Sequence, residues 1–476
     1  MKKIVLAIVV ISMINASAYA DSITNTLGHV INIREYPDSS EVEPKKIINN
    51  NDTLEAGIEN TITVNLDDCI KLALGNNPRI QSAMQDVFAA DARIRQIWSN
   101  FFPQFSWQSG YSRIRQLQLS DVFQENLIYN FWVLGQISGT QLLYDFGVTQ
   151  NQATIRKLDS LGYKIILTGT INDVVYNVKD AYYNLQYAIA AKNVAEASVK
   201  QFENFYEQAK AYYEVGTKPK VDVTISEVNL SNAKLTLIQA EHAEQIAMAR
   251  LNNVIGIPYN TKYNLEDKLR YSACDINLEK AISVCEKSRP EFQLADVKVK
   301  QAKENIKLVK KSWFPQFFAQ GEFEVGGRHP DSNYGYTWGA YINFPTINGM
   351  LIKHQIREAK NLYDREEANA ANSKNDIYLE VQNAFYSLDE KRNKIPVAYL
   401  GMKQAKENYE LSAGRYKVGF GNAAELKEAQ VQYQNSQLVY CQTMYEFNSA
   451  KANLEKSIGR NIADEEIELN NDDKKG

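Results

Sequence analysis

The chain has 476 residues, 44% hydrophobic and 23% charged, with a formal net charge of −4. That balance suits folded structure, and without a basic stripe it excludes a nucleic-acid partner. Four scattered histidines (His29, His242, His329, His354) offer no metal-ligand spacing. No G-x-S-x-G or P-loop is present, so the chain reads as no enzyme and as needing no cofactor.

Residues 1–20 carry Lys2 and Lys3, an apolar run from Ile4 to Ile14, and Ala18-Tyr19-Ala20. This is the pattern of a secretory signal peptide cut before Asp21. Residues 21–60, with Pro37, Pro44 and Asn49-Asn50-Asn51-Asp52, lack a sustained period and read as an extended lead-in. A helix is predicted from about Leu66 to Asn100, broken at Asn77-Pro78. After a β-hairpin at about 104–143 comes a proline-free stretch from Gly147 to Val215. Its apolar positions Val174, Val178, Ala181, Leu185 and Ala188 have the period of a helix with one apolar seam. As one helix it is roughly 100 Å long at about 1.5 Å per residue. A half-length helix follows from Pro219 to Ile257.

The pattern then returns. Val174, Val178, Ala181 and Leu185 reappear as Ile377, Val381, Ala384 and Leu388, and Tyr213-Glu214-Val215-Gly216 as Tyr416-Lys417-Val418-Gly419, each displaced by 203 positions. Pro78 returns as Pro290, and Trp98…Phe102-Pro103-Gln104-Phe105 as Trp313-Phe314-Pro315-Gln316-Phe317. The chain is a tandem duplication. Residues 61–258 form the first repeat, 259–277 a linker, 278–459 the second repeat with a hairpin at about 316–345, and 460–476 an acidic tail. Cys274 and Cys285 could close a short loop between the repeats. Equally, with Cys69 and Cys441, they are isolated small apolar residues. Pro396 stands where the first repeat has Asn193 and is expected to bend or loosen the second long helix.

Each hairpin alternates. Phe317, Ala319, Gly321, Phe323 and Val325 oppose Phe318, Gln320, Glu322 and Glu324; Tyr336 and Trp338 continue the aromatic face on the returning strand. In the first repeat Trp107 and Tyr111 take that place, opposite Ser106, Gln108 and Ser112. Strands of about ten residues with aromatic ends are long enough to cross an outer membrane at a tilt. Four strands cannot enclose a lumen, since the smallest membrane barrels have about eight, and an open edge in lipid leaves its N–H and C=O groups without partners. Several chains must pool strands.

The Asn76-Asn77-Pro78 break, Phe101-Phe102-Pro103-Gln104, Leu142-Leu143-Tyr144-Asp145-Phe146-Gly147 and the twice-used Tyr-x-Val-Gly turn resemble the TolC-type outer-membrane efflux and secretion channels over residues 61–460. The resemblance implies a mainly α fold with a small β part: a duplicated protomer of long helical hairpins plus four transmembrane strands. It implies a homotrimer whose β-barrel continues as a periplasmic helical barrel in a Gram-negative cell. It also implies a periplasmic adaptor protein and an inner-membrane transporter as partners. The expected function is a passive exit duct. The competing reading is an exported coiled-coil spacer or adhesin. The helix-hairpin tips, at Tyr213, Val215 and Gly216 and at Tyr416, Val418, Gly419 and Gly421, are expected to dock the adaptor. Glu425 and Glu428, three apart on one helix face, fall where the best-known member has a pair of aspartates ringing the narrow entrance. Asp222 holds the place of Glu425 in the first repeat. A solvated helix surface is the plainer reading of these acids. Gly421 stands where the best-known member has an arginine linking neighbouring hairpins.

Overall fold

The computed structural model describes residues 63–117, 126–266, 271, 277–328, 333–345 and 350–460. The signal peptide, the lead-in, Cys274 and the acidic tail lie outside them. The described chain runs β1 (Thr63–Val64), α1 (Leu66–Asn76), α2 (Pro78–Trp98), β2 (Gln104–Leu117), β3 (Asn126–Tyr144), α3 (Val148–Glu214), α4 (Lys220–Ile255), β4 (Asn264–Leu265), α5 (Leu278–Ser288), α6 (Pro290–Lys311), β5 (Gln316–Gly327), β6 (Tyr334–Asn343), α7 (Leu351–Lys417) and α8 (Ala423–Ile458). The protein is mainly helical with a small strand part, built twice over. Two compact units divide it by element type, not by repeat: one holds Trp98–Asp145 and Gln316–Asn343, the other the helices.

The helical unit rests on the predicted seam. Val174, Val178, Ala181 and Leu185 are buried with Cys69, Ala73, Leu251 and Ile255 in one core; Ile377, Val381, Ala384 and Leu388 are buried with Ala281, Cys285, Phe447 and Leu454 in the other. Each 67-residue helix, α3 and α7, packs along a 36-residue partner, α4 and α8. The α1/α2 and α5/α6 breaks arise because Pro78 and Pro290 open new helices with a fixed φ and no N–H to satisfy. Gly256 and Gly459 end α4 and α8 with φ of 84° and 75°. A Cβ there would come within 2.8 Å of the Asn76 carbonyl oxygen or 2.9 Å of Arg289 Cα. α7 is uninterrupted from Leu351 to Lys417 with Pro396 inside it, so the proline does not break the helix.

Cys285 and Cys69 are free buried thiols; the linker pairing depends on Cys274, which lies outside the described residues. Burial pushes the Cys69 thiol up to about 12 and the Cys285 thiol up to about 11. The inter-repeat linker holds a feature that two-residue periodicity cannot announce: β4 pairs in parallel with β1, joining Val64 to Leu265. Asn252 fixes the linker's start by donating to the Tyr259 and Thr261 carbonyls at 3.2 and 2.9 Å, and Tyr263 Oη donates to its Oδ1 at 2.8 Å.

The strand unit is one antiparallel sheet in the order β2-β3-β5-β6. β3 spans 19 residues, and β5 runs on through Gly326 and Gly327. Leu134 is an extra residue in β3, and the register shifts around it.

Candidate functional site

In the sheet, register puts Trp107, Ile137, Phe323 and Tyr336 side by side across all four strands, with Phe105, Gly139, Gly321 and Trp338 in the next row. The Phe105 ring lies over Gly139, where a Cβ would meet it at 3.0 Å. Trp107, Tyr336 and Trp338 are 73%, 70% and 78% exposed. Tyr111 continues the face and meets Trp132 at 4.5 Å between ring centres. The opposite face carries Ser106, Ser138, Glu322 and Thr337, then Gln108, Gln136 and Glu324. The Ser106 and Ser138 hydroxyls bond at 2.6 Å, and Gln136 Nε2 donates to Glu322 Oε1. All five aromatics singled out in the sequence share the aromatic face. β2 and β6 are the two edges of this sheet.

At the helix-hairpin tips the duplicated motif gives duplicated geometry. Val215 and Val418 both end their helices at φ −89°, ψ 4°, and Gly216 and Gly419 follow at φ 76° and 85°, the left-handed region a β-branched residue avoids. The first tip closes with Thr217 N–H donating to the Tyr212 carbonyl at 2.9 Å. The second closes with the Phe420 and Gly421 N–H groups donating to the Arg415 carbonyl, both at 3.0 Å. Gly421 is required because a Cβ would lie 2.9 Å from the Tyr416 nitrogen. Asn422 caps α8 by accepting from Glu425 N–H at 2.7 Å.

Tyr416 does not lie on the tip surface where it was expected. It is 1% exposed and forms the tip's core with Phe205, Ala423 and Leu426, because an aromatic ring just inside a tight turn is the largest group available to fill it. Its Oη has no hydrogen-bond partner among the described residues. Burial, then the nearby Asp222 carboxylate and Tyr212, push its hydroxyl up to about 12. Tyr213, Val215, Val418 and Phe420 are the exposed hydrophobic groups of the two turns, the last 84% exposed. Phe420 was missed in the sequence, although its place between Gly419 and Gly421 marks it as a turn-tip residue.

The acids divide. Glu425 is paired with Arg415 at 2.8 Å across its own hairpin, whereas Glu428 is exposed and among the described residues has no cation in ion-pair reach. Asp222 sits in the first turn of α4, beside the Tyr416 ring. Lys218 bridges from the first tip to the second. Its Nζ donates to the Gly421 carbonyl at 3.3 Å and lies 5.1 Å from the Tyr416 ring centre, and Tyr212 Oη donates to the Lys417 carbonyl at 3.3 Å. The two tips are thereby clasped within one chain. Among the described residues no group of three or more His, Cys, Asp or Glu could hold a metal ion.

Comparison with known proteins gives three concordant results. The family described as "Outer membrane efflux protein" matches residues 69–257 and 281–460, one segment per repeat. Toxin and drug export protein A of Aggregatibacter actinomycetemcomitans is 22% identical over 394 residues, 80% of this chain and 83% of that protein. The toluene efflux pump outer membrane protein TtgC of Pseudomonas putida is 21% identical over 406 residues, 83% of this chain and 82% of that one. Among solved structures the Campylobacter jejuni CmeC outer membrane channel superposes with a TM-score of 0.68 at 16% identity, over 92% of this chain and 97% of that one, which shows a shared fold.

Proposed function

The chain belongs to the outer membrane efflux protein family, and on that premise we propose that it is a passive exit duct. Substrates reach it from an inner-membrane transporter through a periplasmic adaptor protein, in an efflux or type I secretion system. The observation that carries this reading is the sheet: four strands, an aromatic-rich face, a polar face, and an edge strand on either side. In lipid those edges must be paired, so copies of the chain join β6 of one to β2 of the next. Three copies give twelve strands. Two exposed apolar stripes on the helices support a ring of copies. Val221, Val228 and Leu235 recur every seven residues on α4; Leu379, Tyr386 and Leu400 keep the same frame on α7. Different surfaces meeting head to tail close a cyclic assembly. A spacer or adhesin has no use for a lipid-type sheet.

In this reading the aromatic face, with Trp107, Tyr111, Phe323, Tyr336 and Trp338, meets lipid. The polar face lines the water-filled passage, and the tips narrow its periplasmic mouth and dock the adaptor. Glu428, unneutralised, is the principal acid of that mouth; Asp222 supports it, and Glu425 is largely balanced by Arg415. The channel reconstituted in a planar bilayer should be cation-preferring at neutral pH and blocked by trivalent cations from the periplasmic side. Glu428→Ala should weaken both properties more than Glu425→Ala, and Arg415→Ala should strengthen cation preference. If none of the three substitutions changes block or selectivity, these residues do not form the mouth.

A further inference from the structure

The described residues leave one basic cleft that the duct reading does not use. It lies wholly within the helical unit, where the last turns of α6 meet the first turn of α3, and is an open depression of about 400 Å³. Lys307, Lys310 and Lys311 line one side, Gln150 and Asn151 the other. Its single carboxylate, Glu304, is already engaged by Lys307 at 2.6 Å and by Asn151 Nδ2 at 3.3 Å. Lys311 donates to the Gly147 carbonyl at 2.8 Å, and Lys310 has no carboxylate in ion-pair reach among the described residues. Three ammonium groups therefore face one occupied carboxylate, leaving an excess of two positive charges.

The lysines are not scattered. Lys300, Lys303, Lys307 and Lys310 follow the three-four spacing of one helix face, and all four are exposed. Lysines in a last turn also complement a helix dipole, but that role ends within one turn and leaves Lys300 and Lys303 unexplained. At the upper end of the row Phe314 is half exposed and stacks on Phe146, ring centres 5.1 Å apart at 20°. Trp313 beside it is likewise exposed. Exposed aromatics immediately above a lysine row form the pairing that marks a membrane–water boundary, where rings lie at headgroup level and lysines extend into the polar layer. The chain enters β5 at Gln316, five residues past Lys311, at most about 18 Å of extended backbone.

We propose that this cleft binds the phosphate of an anionic phospholipid in the leaflet next to the periplasm, with Lys307 and Lys310 as its cations and the Phe146–Phe314 pair against the start of the acyl chains. The inference rests on the membrane reading above and adds a lipid class to it. The exposed amide of Gln150 adds a hydrogen-bond donor to the site beyond a point charge, as a phosphodiester with several oxygens requires, while Asn151 is held by Glu304 through both of its N–H groups.

The test reconstitutes the full chain into vesicles of phosphatidylcholine mixed with phosphatidylglycerol, extracts it in mild detergent and counts retained lipid by native mass spectrometry. Phosphatidylglycerol should be retained preferentially. Lys307→Gln with Lys310→Gln should weaken that retention roughly 30-fold, about fivefold per lysine, while insertion into pure phosphatidylcholine stays unchanged. Lys303→Gln removes the same charge from the same exposed row but outside the cleft, and should leave retention intact. Equal retention of both lipids, no effect of the double substitution, or an equal loss with Lys303→Gln would each overturn the site. Displacement of the lipid by inorganic phosphate alone would assign the cleft to free anions and overturn the lipid assignment. Failure of the wild-type chain to insert into either vesicle would instead contradict the membrane reading, and the proposal would fall with it.

Discussion

Asn77 and Arg289 stand at the same place in the two repeats, just before the proline that restarts each broken helix, and solve the same problem with different chemistry. Asn77 Nδ2 donates to the Val254 carbonyl at 2.6 Å; Arg289 Nη1 donates to the Ser457 carbonyl, the equivalent position, at 2.8 Å. Both are buried, so each carbonyl left bare by a helix end finds a donor. Arg289 brings a charge into that joint and needs Glu291 and Glu380, which it meets at 3.0 and 2.5 Å. The Pro positions were legible in the sequence because proline has one local consequence. The joint was not, since a bond spanning some 170 residues leaves no period. The same limit hid Lys218, which reaches Gly421 across 203 residues, while Arg415, ten residues from Glu425, was hidden because a turn that brings two side chains together leaves no period either. On the sheet, the alternation that identified the aromatic face also yields a prediction. Phe323→Arg should cost about 2–4 kcal/mol if it lies near the bilayer midplane, read as a lower thermal midpoint in membranes. Cysteines placed at 322 and 324 should react with water-soluble thiol reagents, and those at 323 and 325 should not. The reverse labelling would put the faces the wrong way round.

At the scale of elements, α3 and α8 of the two repeats are joined above the apolar tip core by polar contacts. α3 meets α8 through Lys179–Glu455 at 2.5 Å, with side chains only 13% and 9% exposed, and through Asp173–Lys456 at 2.8 Å. Asp180 adds a hydroxyl cluster, accepting from Ser449 at 2.7 Å and Tyr445 at 3.1 Å. Such contacts fix which residues of two long helices stand opposite one another, which a smooth apolar stripe does poorly. Lys179→Met should therefore destabilise by about 3–5 kcal/mol, because it strands a buried carboxylate. Adding Glu455→Leu should recover most of that loss. Thermal midpoints of the detergent-solubilised proteins decide it, and a double variant as unstable as the single one would mean that packing, not charge, is at stake. Helix lengths were legible from the apolar period, because a seam sustained over 67 residues has few alternatives. Packing of α7 against its neighbours holds the helix through Pro396, which removes one of its hydrogen bonds. Pro396→Ala should raise the thermal midpoint, by up to roughly 3 kcal/mol of stability. An unchanged or lower midpoint would show that the proline fits a shape the helix needs.

At the scale of the whole molecule, one chain is an incomplete object. Its sheet has two edge strands, and its α4 and α7 helices carry exposed apolar residues in heptad frame. These features are liabilities in an isolated protein and are resolved together by a ring of copies. The duplication was legible because it repeats motifs at constant displacement, and with it the family-level fold. The number of copies is not written in any single chain: eight strands or twelve would satisfy the same edges. The direct measurement is the native mass of the complex released from outer membranes. The account predicts three chains per particle, with single chains absent from the inserted fraction. A membrane-inserted species of one chain, or a stable complex of two, would contradict it.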